Sequence, residues 1–158
     1  MKGCNLLIDG INKRAIDYNN DFTVSIINQT LLPHKLEYVQ LSTLNDCIIS
    51  IKDMLVRGAP LIGVTASFGM TFALREDDSD TNIKNAFNKL LKTRPTAVDL
   101  KWALKRFVKD ILPLRKEDRF SHSWNMSKEL LENSVKQCSD IGDNGLELIK
   151  LIKKSKVN

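Results

Sequence analysis

Two short segments hold the residues best placed to do chemistry: Arg57-Gly58-Ala59-Pro60 and Thr93-Arg94-Pro95-Thr96. Each sets an arginine just ahead of an expected helix start. The first turn of a helix carries N–H groups without intrahelical acceptors and a partial positive charge, so anions collect there. Gly58 lets a ligand come close to the backbone, and Pro60 suits a first helical turn. Arginine adds a planar, permanently charged fork that matches phosphate oxygens. Two such corners facing one cleft would make a phosphate pocket. A loop with a surface arginine is the plainer alternative.

The other reactive side chains suggest less. Asp9 and Asp17 could form a carboxylate pair, but on a short hairpin they read as surface charges. Cys47 and Cys138 fall on apolar helix faces and read as core thiols. His122 beside Trp124 could stack on a base or sugar, yet a cluster at a helix start is the better reading. Cys4, Cys47 and Cys138, with His34 and His122, show no metal-ligand spacing, so no metal site, cofactor or disulfide framework is expected. There is no Walker-type loop, no GxGxxG and no GxSxG elbow. Asn28-Gln29-Thr30 and Asn125-Met126-Ser127 fit the glycosylation triplet and are read as chance.

These candidates need elements to position them. LLID (6–9) and RAIDY (14–18) flank GINK and suggest a hairpin. TVSII (23–27) and LEYVQL (36–41) add β-rich runs, with Pro33 at a bend or edge between them. From Ser42 the period changes. Leu44, Cys47, Ile48, Ile51, Met54 and Leu55 recur at three and four residues, with Thr43 and Asp46 as a capping box at the start and Gly58 as the stop. LIGVTASFGMTFAL (61–74) is apolar all round, which predicts a helix buried on every side, with Gly63, Ala66, Gly69 and Ala73 admitting close neighbours. A third helix is expected from about Thr81. A fourth follows Thr96, with Asp99 completing a second capping box, and ends at Pro113 and LRKEDR. The last starts near Ser123 and is broken by Gly142 and Gly145 before a final apolar turn, LELIKLI. The expected fold is α+β: a small antiparallel β unit over 1–41, a helical array over 42–147, and a basic tail over 148–158.

At 158 residues, 42% hydrophobic and 27% charged, the chain has the makings of one globular core. No apolar run approaches the ~18 residues of a membrane span, and the first residues lack a secretory pattern. The reading is a cytoplasmic protein with no membrane partner. The net charge of +5 is local. Lys150, Lys153, Lys154 and Lys156 lie in the tail, and taking those four from 24 bases leaves 20 against 19 acids. That tail reads as a solvated end, so no nucleic-acid partner is expected.

VRGAPLIGVTASFG (56–69) and RPTAVDLKWAL (94–104) resemble the two signature stretches of the methylthioribose-1-phosphate isomerases. NQTLLP (28–33) followed by EYV (37–39) resembles that family's N-terminal element in the same order. The resemblance covers roughly residues 5–147. It implies an aldose–ketose conversion in methionine salvage, from 5-methylthioribose 1-phosphate to 5-methylthioribulose 1-phosphate. It also implies that Arg57, Gly58, Ala59 and Arg94 bind the sugar phosphate, the same residues the anion argument selects.

The resemblance further implies that the family's Rossmann-like C-terminal half, with its catalytic cysteine and aspartate, is absent from this sequence. The expectation is an N-terminal half without catalytic residues of its own, inactive alone, so whether it counts as an enzyme stays open. A complementing C-terminal half or a second copy of the chain are the partners this implies, beside the sugar phosphate. Asp99 stands where the family usually has asparagine, Phe68 where it has tyrosine, and SDIGDNG (139–145) lacks the usual arginine. Two alternatives remain at this point. One is a sister isomerase acting on another pentose phosphate, such as ribose 1,5-bisphosphate. The other is a non-catalytic interaction module related to the exchange-factor subunits of translation initiation factor two.

Overall fold

In the computed structural model, which describes residues 6–8 and 10–155, strands β1 (Leu6–Ile8) and β2 (Ile11–Lys13) pair antiparallel, with Leu6 opposite Lys13 and Ile8 opposite Ile11. The strands are joined through a turn at Gly10, which has φ +74°, a left-handed conformation that a Cβ disfavours. This corrects the expected pairing of 6–9 with 14–18. A glycine that can turn left-handed closes a two-residue hairpin, so Ile11–Lys13 is itself the returning strand. β3 (Ile16–Tyr18) belongs to a second sheet with β4 (Val24–Ile27) and β5 (Tyr38–Leu41), antiparallel in the order β3-β4-β5. Val24, Ile26 and Ile27 of the central strand are buried. Cys4 and Asp9, and with Asp9 the expected Asp9–Asp17 pair, lie outside the described residues; Asp17 accepts a hydrogen bond from the Tyr18 N–H.

Five helices follow: α1 (Leu44–Lys52), α2 (Ala59–Glu76), α3 (Asp80–Thr93), α4 (Val98–Ile111) and α5 (Lys116–Ser155). The capping box of α1 is present: the Thr43 hydroxyl accepts from the Asp46 N–H, and the Asp46 carboxylate accepts from the Thr43 N–H. Gly58 does not end α1, whose cap is Asp53; it is the residue from which α2 starts. The second expected capping box does not form. Thr96 sits in a turn closed by the Ala97 N–H on the Arg94 carbonyl (3.0 Å), so α4 is capped at Ala97 without a side-chain bond. Residues Lys116–Arg119 do not close α4 but open α5, with Glu117 and Asp118 in its first turn complementing the helix dipole.

Gly142 and Gly145 do not interrupt α5, which runs unbroken for 40 residues. A glycine costs a helix interior about 1 kcal/mol, which weakens it without stopping it. Ion pairs one turn apart, Lys136 with Asp140 and Lys150 with Glu147, support the stretch on either side.

The array is organised around α2, which is buried from Ile62 to Leu74, as its all-round apolar sequence requires. A Cβ on Gly69 would stand 2.9 Å from Cys47 Cβ, and one on Gly63 would stand 3.2 Å from the Asp99 carbonyl oxygen. These two glycines set the approach of α1 and α4 to α2. On the side of α5, Ser127 Oγ lies 2.7 Å from Ser67 Oγ and 3.2 Å from Thr71 Oγ1, so the hydroxyls in this interface satisfy one another. Trp124 packs edge-on against Phe68, Phe22 and Tyr18, a core role within α5 rather than a stacking platform, and His122 beside it is exposed.

At the far end Arg119 is 5% exposed. Its guanidinium donates to the carbonyls of Asp78 (2.7 Å), Leu112 (2.9 Å) and Leu114 (3.1 Å), and it pairs with Asp80 at 2.7 Å. One side chain thus ties the ends of α2 and α4 together. With Gly63 against Asp99 at the other end, α2 and α4 run in the same direction, and both N-termini face one end of the array.

Candidate anion-binding site

The loop between α1 and α2 is fixed before it reaches Arg57. Asp53 and Met54 donate backbone bonds back to Ile49 and Ile51, and the N–H of the buried Val56 donates to Ser50. The Gln29 N–H donates to the Leu55 carbonyl at 2.9 Å, tying the loop to the segment between β4 and β5. With Val56 anchored inward, Arg57 is left exposed, its Nε 3.4 Å from the Met54 carbonyl. Gly58 then adopts φ +97° and accepts from the Ile62 N–H at 3.1 Å. A side chain at position 58 would be strained by that backbone angle. No side chain caps the first turn of α2 and no acid lies in it, so its outward N–H groups keep their positive field.

Arg57 and Gly58 line a concavity of about 280 Å³. Its other walls are the Lys13–Ile16 segment, Gln29, the α2 residues Pro60, Leu61 and Val64, and Leu131, Ser134, Val135 and Cys138 of α5. Lys13, Arg14 and Arg57 are the charged groups on it, and no carboxylate or imidazole is among its lining residues. Arg14 is held by both oxygens of Glu132 (2.7 and 3.1 Å), a bond that raises its pKa further and pins the β2–β3 segment to α5. Arg57 therefore has charge to offer a ligand, since among the described residues it pairs with no carboxylate. The site is cationic at the rim and apolar beneath, which suits an anion attached to a less polar body.

Of the four expected residues, the structure brings Arg57 and Gly58 into this concavity. Ala59 is the exposed first residue of α2. Arg94 caps the end of α3 and is half-buried; it lines neither this concavity nor the larger one beside it. Its turn leads into α4 at the same end of the array. The larger concavity, about 440 Å³, lies across Pro60 and Val64 between α2, α4 and α5, with Asp99, Trp102 and Arg106 on one side and Asn133 and Lys136 on the other.

Cys47 is fully buried and its thiol is pushed far up in pKa by burial, then by the Asp46 carboxylate, so it is a core residue as expected. Cys138 is not: it is exposed and stands on the wall of the smaller concavity, because α5 has begun to leave the body there. The sequence reading missed Lys13, the Arg14–Glu132 pair and Arg119. Each depends on contacts between distant segments and leaves no local pattern. Among the described residues no three metal-ligating side chains come together, and no helix is long and apolar enough to cross a membrane.

Residues 55–156 match the initiation factor 2 subunit family. The chain is 41% identical over 130 residues to a methylthioribose-1-phosphate isomerase of Sinorhizobium medicae, covering 82% of this chain and 36% of that protein. It is 41% identical over 150 residues to one of Escherichia coli, covering 94% and 40%. It thus spans well under half the length of these curated relatives. Among solved structures, 5-methylthioribose 1-phosphate isomerase of Pyrococcus horikoshii superposes with a TM-score of 0.69 at 29% identity, over 76% of this chain and 36% of that one. Subunit delta of translation initiation factor eIF-2B from A. fulgidus gives the same TM-score at 28% identity, over 76% and 37%. The family match takes in well over half of the chain, the fold is one that both solved proteins share with it, and the chain belongs to the initiation factor 2 subunit family.

Proposed function

We propose that this chain forms the phosphate-binding N-terminal part of a cytoplasmic aldose–ketose isomerase that converts 5-methylthioribose 1-phosphate to 5-methylthioribulose 1-phosphate in methionine salvage. The observation that carries the proposal is the placement of Arg57 and Gly58 at the uncapped start of α2, on the rim of a concavity without carboxylates. Arg57 supplies a charge-assisted fork to the phosphate, and the N–H groups of the first turn of α2 supply neutral donors. Gly58 leaves the approach open. Arg94, which does not line the concavity, contributes at most a longer-range positive field from the turn before α4, and the apolar floor accepts the thioether end of the sugar. The curated relatives at 41% identity bear isomerase names, which favours this reading over an exchange-factor module.

Binding is not turnover. An aldose–ketose interconversion moves a proton between neighbouring carbons, which calls for a positioned acid and base. The lining holds neither a carboxylate nor an imidazole. Those groups come from a further part of the protein or from another chain, and residues 1–158 alone do not turn over substrate.

The test is ligand binding by calorimetry, with methylthioribose 1-phosphate, on the wild type, Arg57→Ala, Arg94→Ala and an Arg106→Ala control. Losing a charged hydrogen-bond partner costs about 1.5–3 kcal/mol, so Arg57→Ala should bind roughly 10- to 100-fold more weakly. Arg106→Ala should bind as wild type does. Equal affinity in wild type and Arg57→Ala refutes the assignment.

A further inference from the structure

The near balance of charge in the body hides a division. Residues 81–111, which take in nearly all of α3 and the whole of α4, hold eight bases and two acids, whereas the rest of residues 1–147 hold 12 bases and 17 acids. Lys84, Lys89 and Lys92 of α3 and Lys101, Lys105 and Lys109 of α4 are all exposed, and among the described residues none of the six pairs with a carboxylate. Bases elsewhere find acids: Arg14 with Glu132, Arg115 with Asp118, Lys116 with Asp78 and Lys136 with Asp140. Asp80, just ahead of the segment, is taken by Arg119.

The period of α4 arranges this charge. Leu100, Ala103, Leu104 and Phe107 face inward, which leaves two neighbouring rows of four-residue steps outside. One row is Lys101, Lys105 and Lys109, about 12 Å of track at ~1.5 Å per residue. The other is Val98, Trp102 and Arg106, with Val98 77% and Trp102 52% exposed. The Arg106 guanidinium stands 5.7 Å from the centre of the Trp102 ring, and both line an open concavity of about 410 Å³ with Lys105 and Lys109. A line of unpaired ammonium groups beside a half-exposed indole offers two complementary surfaces, one for regularly spaced anions and one for a flat ring.

We propose that the outer face of α4, flanked by α3, binds a single strand of nucleic acid, with the lysine row along its phosphates and a base stacked on Trp102. Charge complementarity calls for a polyanion, and the indole selects among polyanions. A duplex keeps its bases stacked inside and leaves Trp102 unused. An acidic peptide meets the lysines but brings no ring to the indole. Neither Arg57 nor Gly58 takes part, so the proposal stands apart from the sugar-phosphate site.

The test titrates the 158-residue chain with a short single-stranded oligoadenylate at about 50 mM salt, followed by tryptophan emission and by anisotropy of an end label. Trp124 is buried, so quenching reports on Trp102. Binding with quenching is expected, and log affinity should fall against log salt with a slope near −2, from three phosphates at ~0.7 each. Lys105→Gln/Lys109→Gln should flatten that slope by about 1.4. Trp102→Ala should weaken binding roughly 5- to 150-fold and leave the slope unchanged. Arg57→Ala, Lys52→Gln and a variant with Lys150, Lys153, Lys154 and Lys156 all changed to glutamine should bind as wild type does. All these positions are outside the core, and unchanged melting of each variant checks that it is folded. Absence of binding at this salt overturns the proposal, as does binding without quenching. So does equal affinity for a duplex of the same length or for a polyglutamate peptide, or loss of binding when the four lysines of the C-terminal end are removed.

Discussion

Gly69→Ala sets two effects of similar size against each other. Alanine is favoured over glycine in a helix interior by about 1 kcal/mol, so on propensity alone the change stabilises α2. The added carbon, however, stands 2.9 Å from Cys47 Cβ. Carbon atoms rest at roughly 3.5–4.0 Å, so about 0.6–1.1 Å must be absorbed. Neither atom belongs to a flexible side-chain end; both are fixed to helix backbone, and α1 and α2 must separate. Overpacking of this kind costs roughly 1–3 kcal/mol, and the rigidity of both partners puts it in the upper half of that range. The net is about 1–2 kcal/mol of destabilisation, a fall in Tm of roughly 2–8 °C for a chain of this size. Thermal melts followed by circular dichroism measure it, with Gly142→Ala, whose carbon meets nothing, as the control that keeps or raises Tm. Cys47→Ala should not rescue Gly69→Ala, because the offending carbon remains, whereas Cys47→Gly should. A Gly69→Ala Tm equal to or above wild type refutes the claim that this glycine sets the spacing of α1 and α2.

Arg119→Ala removes the donors to three carbonyls and an ion pair that is exposed on its Asp80 side, and should cost about 2–4 kcal/mol in urea denaturation. Arg119→Lys should recover little of this, since an ammonium cannot reach three carbonyls in the geometry of a fork, and full recovery would show that charge alone matters. Burial pushes the Asp46 carboxyl up in pKa, but the hydrogen bonds from Ser42 and Thr43 outweigh it and the net shift is downward. A carboxyl lowered in the folded state contributes stability above its unfolded value and loses it as pH falls through the folded one. The Tm gap between wild type and Asp46→Asn should therefore be widest near neutrality and shrink in acid below the ordinary aspartate range. A gap independent of pH would contradict the capping role.

Local patterns were readable in the sequence where local physics decides them. Thr43 and Asp46 announce a cap because both partners lie within four residues, and 61–74 announces burial because no face of it is polar. The readings that failed turned on competition. GINK looks like a turn until the left-handed capacity of Gly10 shortens the loop to two residues. Gly142 and Gly145 look like breaks because propensity is read residue by residue, while helix propagation is cooperative. Cys138 shares its spacing with buried neighbours, and only the path of α5 away from the body exposes it. In the site, Arg57 and Gly58 were legible from the helix start they precede. Arg94 was legible as a corner, but its distance from the smaller concavity was not, because the path of the 94–97 turn is set by tertiary packing.

The unbroken 40-residue α5 spans about 60 Å, and its two parts obey different rules. Short helices in water are marginal because the first turn is costly to form. Here that turn exists already in the part of α5 clasped by Ser67, Thr71 and Phe68 of α2, and each later residue only extends it. Amide exchange along this one helix should therefore be graded rather than uniform. Protons near Ser127 should exchange only through opening of the whole body, and those near Leu148 should exchange by unwinding inward from the end. The body of the protein is thus the nucleus for a helix that reaches well beyond it.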